Sequence, residues 1–200
     1  EEAPADFHAR FDASLRRYRY FMLCGGSPDP FSLRYAYWIP RAPRLEVLNA
    51  MASVLLGEHD FSTFASAQDA SPSPSRHISE SSFWYEGTRL VYQIAGNAFL
   101  WKQVRSTVGT LLELEQMAES AAHGRALMKD LLESRDRTRA GATAPAQGLF
   151  LWNVEYGERI HGHKRRKSAP PAVPHEYEGA RTQQRPARLV PGLGWIEEDA

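Results

Sequence analysis

The 200-residue sequence contains a single cysteine, Cys24. One thiol cannot close an internal disulfide, which excludes a small disulfide-framed domain and suits a reducing compartment, so a cytoplasmic location is expected. Long apolar runs are also missing. None approaches the ~18 residues that a membrane span needs, and no membrane partner is expected. The opening Glu-Glu-Ala-Pro-Ala-Asp has neither the basic start nor the apolar stretch of a secretory signal. The first residue is Glu1 and not methionine, which points to processing or to an upstream part. An excess of one charge is absent too. Lys plus Arg number 24 and Asp plus Glu number 24, so any nucleic-acid footprint must come from local clustering. There is no internal repeat and no phosphate-binding lysine loop. Gly192-Leu193-Gly194 lacks a strand-to-helix setting, and His161-Gly162-His163 stands without matching Cys or carboxylate ligands, so no metal site is expected.

What is present suffices for a core. Apolar residues make up 42%, charged residues 24% and aromatics 11%, the proportions of a globular chain of one domain with room for an appended tail. Residues 7–23 are rich in Phe, Tyr and Arg and stop at Gly25-Gly26, which predicts a long strand. A second strand is expected over 35–39, ended by Pro40. Leu45, Leu48, Ala52 and Leu55 fall at helical spacing before Gly57. Phe61 and Phe64 flank an irregular piece, and Ser71-Pro72-Ser73-Pro74-Ser75 reads as an exposed loop. Residues 76–85 and 89–94 form a predicted hairpin around Glu86-Gly87-Thr88, with Ile78, Leu90, Tyr92 and Ile94 on one buried face. From Phe99 the period changes. Leu100, Val104, Val108, Leu111 and Leu112 mark one helical stripe, and Leu127, Leu131 and Leu132 mark a second helix. Residues 141–145 form a loop, and Leu149, Leu151, Val154 and Tyr156 belong to a last strand. Beyond Gly157 the composition turns basic and Pro-rich, so 158–200 is expected to be a disordered tail after a domain at 6–157. The elements mix without regular alternation. The expected class is α+β, with a mostly antiparallel sheet flanked by helices.

Four blocks carry more specific information: Phe7-His8-Ala9-Arg10-Phe11 with Arg16-Arg17-Tyr18-Arg19-Tyr20; Leu56-Gly57-Glu58-His59-Asp60-Phe61-Ser62-Thr63-Phe64; Gly96-Asn97-Ala98-Phe99-Leu100 with Val104-Arg105 and Val108-Gly109; and Arg135-Asp136-Arg137 with Thr143-Ala144-Pro145 and Gly148-Leu149. In this order and spacing the chain resembles the carboxy-terminal half of the TruA-type tRNA pseudouridine synthases, over about three quarters of its length. The resemblance implies a pseudouridine synthase-like fold, here a partial domain. It implies a homodimer that binds tRNA and isomerises uridines of the anticodon stem-loop without metal or small-molecule cofactor. In that family the nucleophile is an aspartate in an upstream Gly-Arg-Thr-Asp-Ala-Gly block, which this sequence does not contain. Asp6, Asp12, Asp29, Asp60, Asp69, Asp130 and Asp136 all lie in other contexts, so none takes the nucleophile's role. The alternative is a non-catalytic RNA-binding or dimerisation module derived from the family.

Two positions carry over from the family pattern. Tyr18 matches the tyrosine that contacts the target base, since a base leaving its stack needs an aromatic plane to rest on; the plainer reading is a core tyrosine. Arg105 matches the arginine that orients the catalytic carboxylate through a charge-assisted bond; the plainer reading is a solvated arginine at the edge of a helix stripe. Leu100, one turn earlier, fits the same pocket or an ordinary core. Arg10, Arg17 and Arg19 crowd one segment, and Arg17 and Arg19 share a strand face, so they are candidates for phosphate contact or for a solvated face. Trp101, Lys102 and Gln103 depart from the residues more usual in relatives, which bears on substrate choice.

Overall fold

A twelve-residue strand, β1 (Ala13–Cys24), is the element on which the sheet is assembled. In the computed structural model of the chain, residues 3, 5–28 and 30–157 are described, and beyond them the backbones of two three-residue strands. β1 runs antiparallel along β5 (Arg89–Gly96), with Arg16 opposite Gly96 and Leu23 opposite Arg89. Its other edge is shared. β6 (Leu149–Tyr156) pairs antiparallel with residues 13–20, and β2 (Tyr37–Ile39) pairs parallel with Met22, Leu23 and Cys24. β4 (Ser75–Glu86) forms the expected hairpin with β5, and β3 (Gly57–Asp60) lies against β4. Gly87 turns the hairpin at φ 62°, a conformation that a side chain would strain. One mixed sheet of six strands results, antiparallel in every pairing except β1 with β2.

Helices α1 (Leu45–Ala52), α2 (Gln103–Met117) and α3 (Ala121–Ser134) cover one face of this sheet. Alternate residues of a strand share a face, so Tyr20 and Met22 of β1 and Leu90, Tyr92 and Ile94 of β5 all enter the core, together with Ile78 of β4. Each such burial contributes about 1.5–3 kcal/mol. Ile78, Leu90, Tyr92 and Ile94 share the buried face that the hairpin pattern implied. Opposite the helices, among the described residues, the sheet bears a smaller apolar group of buried Phe21, Ala36 and Val91 with partly buried Leu23, Trp84 and Phe150 packed against it. The end of α2 is locked to the start of α1 by a buried carboxylate. Glu115 Oε1 accepts from the Arg44 backbone N–H at 3.1 Å and Nε at 2.8 Å, and Oε2 accepts from Arg41. Arg44 also donates to the Ala118 carbonyl at 2.7 Å, satisfying an acceptor at the open end of α2.

Among the differences from the sequence expectation, two boundaries and one unannounced strand have a local reason. β1 begins at Ala13 and not at Phe7, because the Asp12 carboxylate takes the His8 N–H at 2.8 Å and folds the preceding residues into a turn. α2 begins at Gln103 and not at Phe99, because Lys102 stands at φ 64° and breaks the helical path. β3 is a strand that apolar pattern does not announce, since Glu58, His59 and Asp60 are polar and partly exposed. Chain pairing with β4 defines it. Residues 164–200 form a unit of their own, described only through the antiparallel pair β7 (Arg188–Val190) and β8 (Gly194–Ile196). The rest of 158–200, including His161-Gly162-His163 and Gly192-Leu193, lies outside the described residues, as does Asp29. Among the described residues, no helix is long and apolar enough to cross a membrane.

Candidate active site

Tyr18 follows the parity of Tyr20 and so lies on the helix side of β1, half-buried against the core. The edge of its ring meets Phe99 at 5.2 Å with the planes at 89°. Burial pushes its phenol pKa upward, partly opposed by the charge of Arg16, so Tyr18 is neutral at physiological pH and offers an uncharged ring. Phe99 belongs to the turn that leaves β5. Leu100 is next and is buried, and Lys102 then opens α2. The turn thus places Leu100 in the core and leads into α2, which carries Arg105.

Arg105 is half-buried and doubly tied to a loop from the far end of the domain. Its Nε donates to the Ala144 carbonyl at 2.6 Å, and the Ala144 N–H returns a bond to the Arg105 carbonyl at 3.1 Å. The next carbonyl, on Pro145, accepts from the hydroxyl of buried Tyr20 at 2.7 Å. Burial pushes the Tyr20 phenol up, and the positive charge of Arg105 pulls it back in part, which places the two groups within electrostatic reach. The loop can lie this close because α2 has glycine at position 109, where a Cβ would collide with the Ala142 carbonyl. A guanidinium has five donors. Among the described residues, only Nε of Arg105 has a partner, and neither η nitrogen meets an acceptor or a carboxylate. Aspartates elsewhere are engaged by other groups: Asp12 by His8, Asp60 by Ser62 and by Arg135 at 3.5 Å, Asp130 by Arg139 at 2.5 Å, and Asp136 by Thr138.

The arginines of β1 occupy a different surface. Arg17 and Arg19 share a face, as their spacing implied, but it is the face away from the helices and from Tyr18. Arg17 pairs with Glu80 at 2.6 Å and with Glu155 at 3.1 Å. The hydrogen bond to Glu80 is the main cause of its raised pKa and, reciprocally, of the lowered pKa of Glu80. Arg19 donates to Gln93 at 2.9 Å and lies 4.1 Å from the Trp152 ring and 5.2 Å from Trp84. Arg10 is exposed, with its guanidinium 5.7 Å from the Phe11 ring. The structure places Leu100 in the core cluster that Tyr18 packs against and ties Arg105 to the loop that meets Tyr20, whereas Arg17 and Arg19 lie on the opposite face of β1. It adds Tyr20, Phe99, Ala144 and Pro145. Tyr20 carried a sequence signal, its parity with Tyr18, whereas two backbone carbonyls leave no trace in residue identity. Among the described residues, no three metal-ligating side chains converge.

A sheet that carries a neutral aromatic ring on its helix side, with a tethered arginine that meets no carboxylate among the described residues, defines an α+β chain with a candidate polar site. Comparison with known families gives this class its place: residues 51–157 match the family model described as tRNA pseudouridine synthase, and the chain belongs to that family. It is 48% identical over 153 residues to the tRNA pseudouridine synthase A of Treponema denticola, a match covering 76% of this chain and 56% of the relative. To the proteins of the same name from Borreliella afzelii and Geobacillus kaustophilus it is 39% and 37% identical, over 75% and 82% of this chain and 59% and 62% of theirs. The chain thus spans a little over half the length of these curated relatives.

Proposed function

We propose that this chain forms the carboxy-terminal part of a tRNA pseudouridine synthase acting on uridines of the anticodon stem-loop. It supplies the surface on which the flipped base rests and the cation that holds the nucleophile. Tyr18 and Leu100 form the apolar platform for the uracil ring. Arg105 presents its η nitrogens to the aspartate of the upstream block, keeping that carboxylate ionised and aimed. The reaction breaks the N1–C1′ bond, turns the uracil and joins C5 to C1′, with a proton leaving C5 and one gained at N1. Composition and oxidation state are unchanged, so no redox partner or organic cofactor is required. Cytoplasmic tRNA is the partner, and a homodimer is the assembly.

The observation that carries this reading is Arg105, half-buried, fixed at Nε by a backbone carbonyl, and with its remaining donors unmatched. A guanidinium left this way in a partly dehydrated position is costly unless a carboxylate completes it. Of the arginines on the amino-terminal segment, Arg10 is the one offered to phosphate. The charges of Arg17 are met by Glu80 and Glu155, and Arg19 is held between two indoles. The deciding experiment joins this chain to the upstream segment its relatives carry and measures pseudouridine formation in tRNA. Turnover that vanishes when the upstream aspartate is replaced supports the reading, and a correctly folded joined protein without turnover rejects it.

A further inference from the structure

The turn 99–102 is held from outside. α2 has no side-chain cap at its start, and Lys102 holds a left-handed backbone at φ 64°, which is unfavourable for a residue with a side chain. The turn is closed locally by the Leu100 N–H donating to Gln103 Oε1 at 2.8 Å and the Gln103 N–H donating to the Leu100 carbonyl at 3.1 Å, and the strained Lys102 backbone calls for further support. Two bonds from the preceding loop supply it: the Ser66 N–H donates to the Trp101 carbonyl at 3.0 Å, and the Trp101 N–H donates to Asp69 Oδ2. Asp69 is itself fixed, its Oδ1 accepting from the Ser71 N–H at 2.8 Å and its own N–H donating to the Ser66 carbonyl at 2.9 Å. Burial tends to raise the Asp69 pKa. Hydrogen bonds from Ser71 and Trp101 outweigh it, the nearby charge of Arg76 acts in the same sense, and the group ends below the ordinary carboxylate value. Trp101, clamped on both its N–H and its carbonyl, keeps its indole about half exposed beside buried Leu100. Lys102 Nζ lies 5.1 Å from that ring.

We infer that Asp69 is a positioning residue for substrate, fixing the 99–102 turn so that Trp101 and Lys102 stand beside Leu100 of the proposed site and meet the nucleotides flanking the target. This rests on the pseudouridine synthase reading above. Asp69 does not touch the reacting atoms. Its influence falls on binding of the RNA, through the segment it holds. An amide at this position keeps the shape but sets an NH2 group against one of two N–H donors, so Asp69→Asn breaks one arm of the clamp.

The test uses the chain joined to its upstream segment and acting on tRNA. Asp69→Asn is expected to raise KM about tenfold, with kcat changed less than twofold and the urea unfolding midpoint close to that of the parent. The effect must also disappear in a Trp101→Ala background, where the side chain to be positioned is gone, because coupling in KM is a readout that a merely structural role would not produce. If Asp69→Asn fails to unfold cooperatively, Asp69→Ser takes its place. Failure of both variants to fold assigns Asp69 a purely structural role and overturns the inference. An unchanged KM, or equal KM effects with and without Trp101, overturns the inference alone. A parent protein without turnover removes the functional reading and the inference with it.

Discussion

At the scale of single residues, Arg105 meets two demands that can be separated experimentally. Its Nε bond to Ala144 belongs to the fold and contributes about 1 kcal/mol, as a typical net hydrogen bond does. Its η nitrogens belong to the proposed chemistry. In the joined enzyme, Arg105→Ala is therefore expected to lower kcat by about 10²-fold or more while costing only about 1 kcal/mol of stability. Arg105→Lys retains a charge but not the fork, and should recover less than a tenth of the loss. Single-turnover rates and urea melts on the same preparations check both halves. A kcat within threefold of the parent in folded Arg105→Ala would remove the orienting role. Tyr18 makes a different prediction, because its proposed contribution is a plane and not a hydroxyl. Tyr18→Ala should lose about 1–3 kcal/mol in kcat/KM, the range of base stacking on an aromatic side chain. Tyr18→Phe should keep most of the activity. Equal losses in the two variants would show that the hydroxyl matters and the stacking argument does not.

At the scale of elements, the Glu115 clamp shows how packing and charge are joined. Burial of this carboxylate raises its pKa, but hydrogen bonds from Arg41 and Arg44 outweigh that penalty and bring the pKa below its ordinary value of 4.5. The unfolded chain therefore binds the proton at higher pH than the folded one, and the clamp's stabilisation is complete above about pH 4.5 and fades as pH falls through the folded value. Urea midpoints measured from pH 6 to pH 3 should fall more steeply for the parent than for Glu115→Gln, and parallel curves would contradict the linkage. Arg44→Ala should cost about 2 kcal/mol at pH 7, since it strips the Nε donor from a buried carboxylate, leaving the backbone N–H, and uncovers the Glu115 and Ala118 carbonyls at the end of α2. None of this is legible in the sequence, where Arg41, Arg44 and Glu115 look like surface charges. The elements that apolar period does report, β4, β5, α2 and α3, are those whose stripe enters the core. Period is silent on β3, held by backbone pairing, and on the edges of β1 and α2, set by Asp12 and by Lys102. The same division holds at the site. Tyr18, Leu100, Arg105 and the Thr143-Ala144-Pro145 block are legible through the family pattern, but that Ala144 and Pro145 act through their carbonyls and Asp69 through a tertiary bond to Trp101 is not.

At the scale of the whole molecule, the sheet is unevenly covered. Helices bury one face, but β6 pairs only with β1 among the described residues, and Leu151 and Trp152 on it are more than half exposed. An edge strand with large apolar side chains on its surface invites pairing with another chain. The isolated 200-residue polypeptide is therefore expected to self-associate at micromolar concentration. Replacing Leu151 and Trp152 by Lys and Glu should return it to monomer in sedimentation, and unchanged association would place the contact elsewhere. Activity follows a separate logic. Orientation by Arg105 and stacking by Tyr18 lower a barrier only when a nucleophile is present, and covalent catalysis without one leaves no route through the glycosidic bond. Asp12, Asp60, Asp69, Asp130 and Asp136 are held by neighbours other than Arg105, and the block that carries the family's nucleophile is not in this sequence. The 200-residue polypeptide, purified from a host lacking its own enzyme for the same tRNA position, is therefore expected to bind tRNA without forming pseudouridine. Adding the upstream segment as a second polypeptide should restore turnover if the two parts find each other at the proposed site. Pseudouridine formed by the 200 residues alone would require an aspartate of this chain to act as nucleophile. Replacing Asp12 and Asp60 in turn would then identify it, and Arg105 would lose its assignment as the holder of an upstream carboxylate.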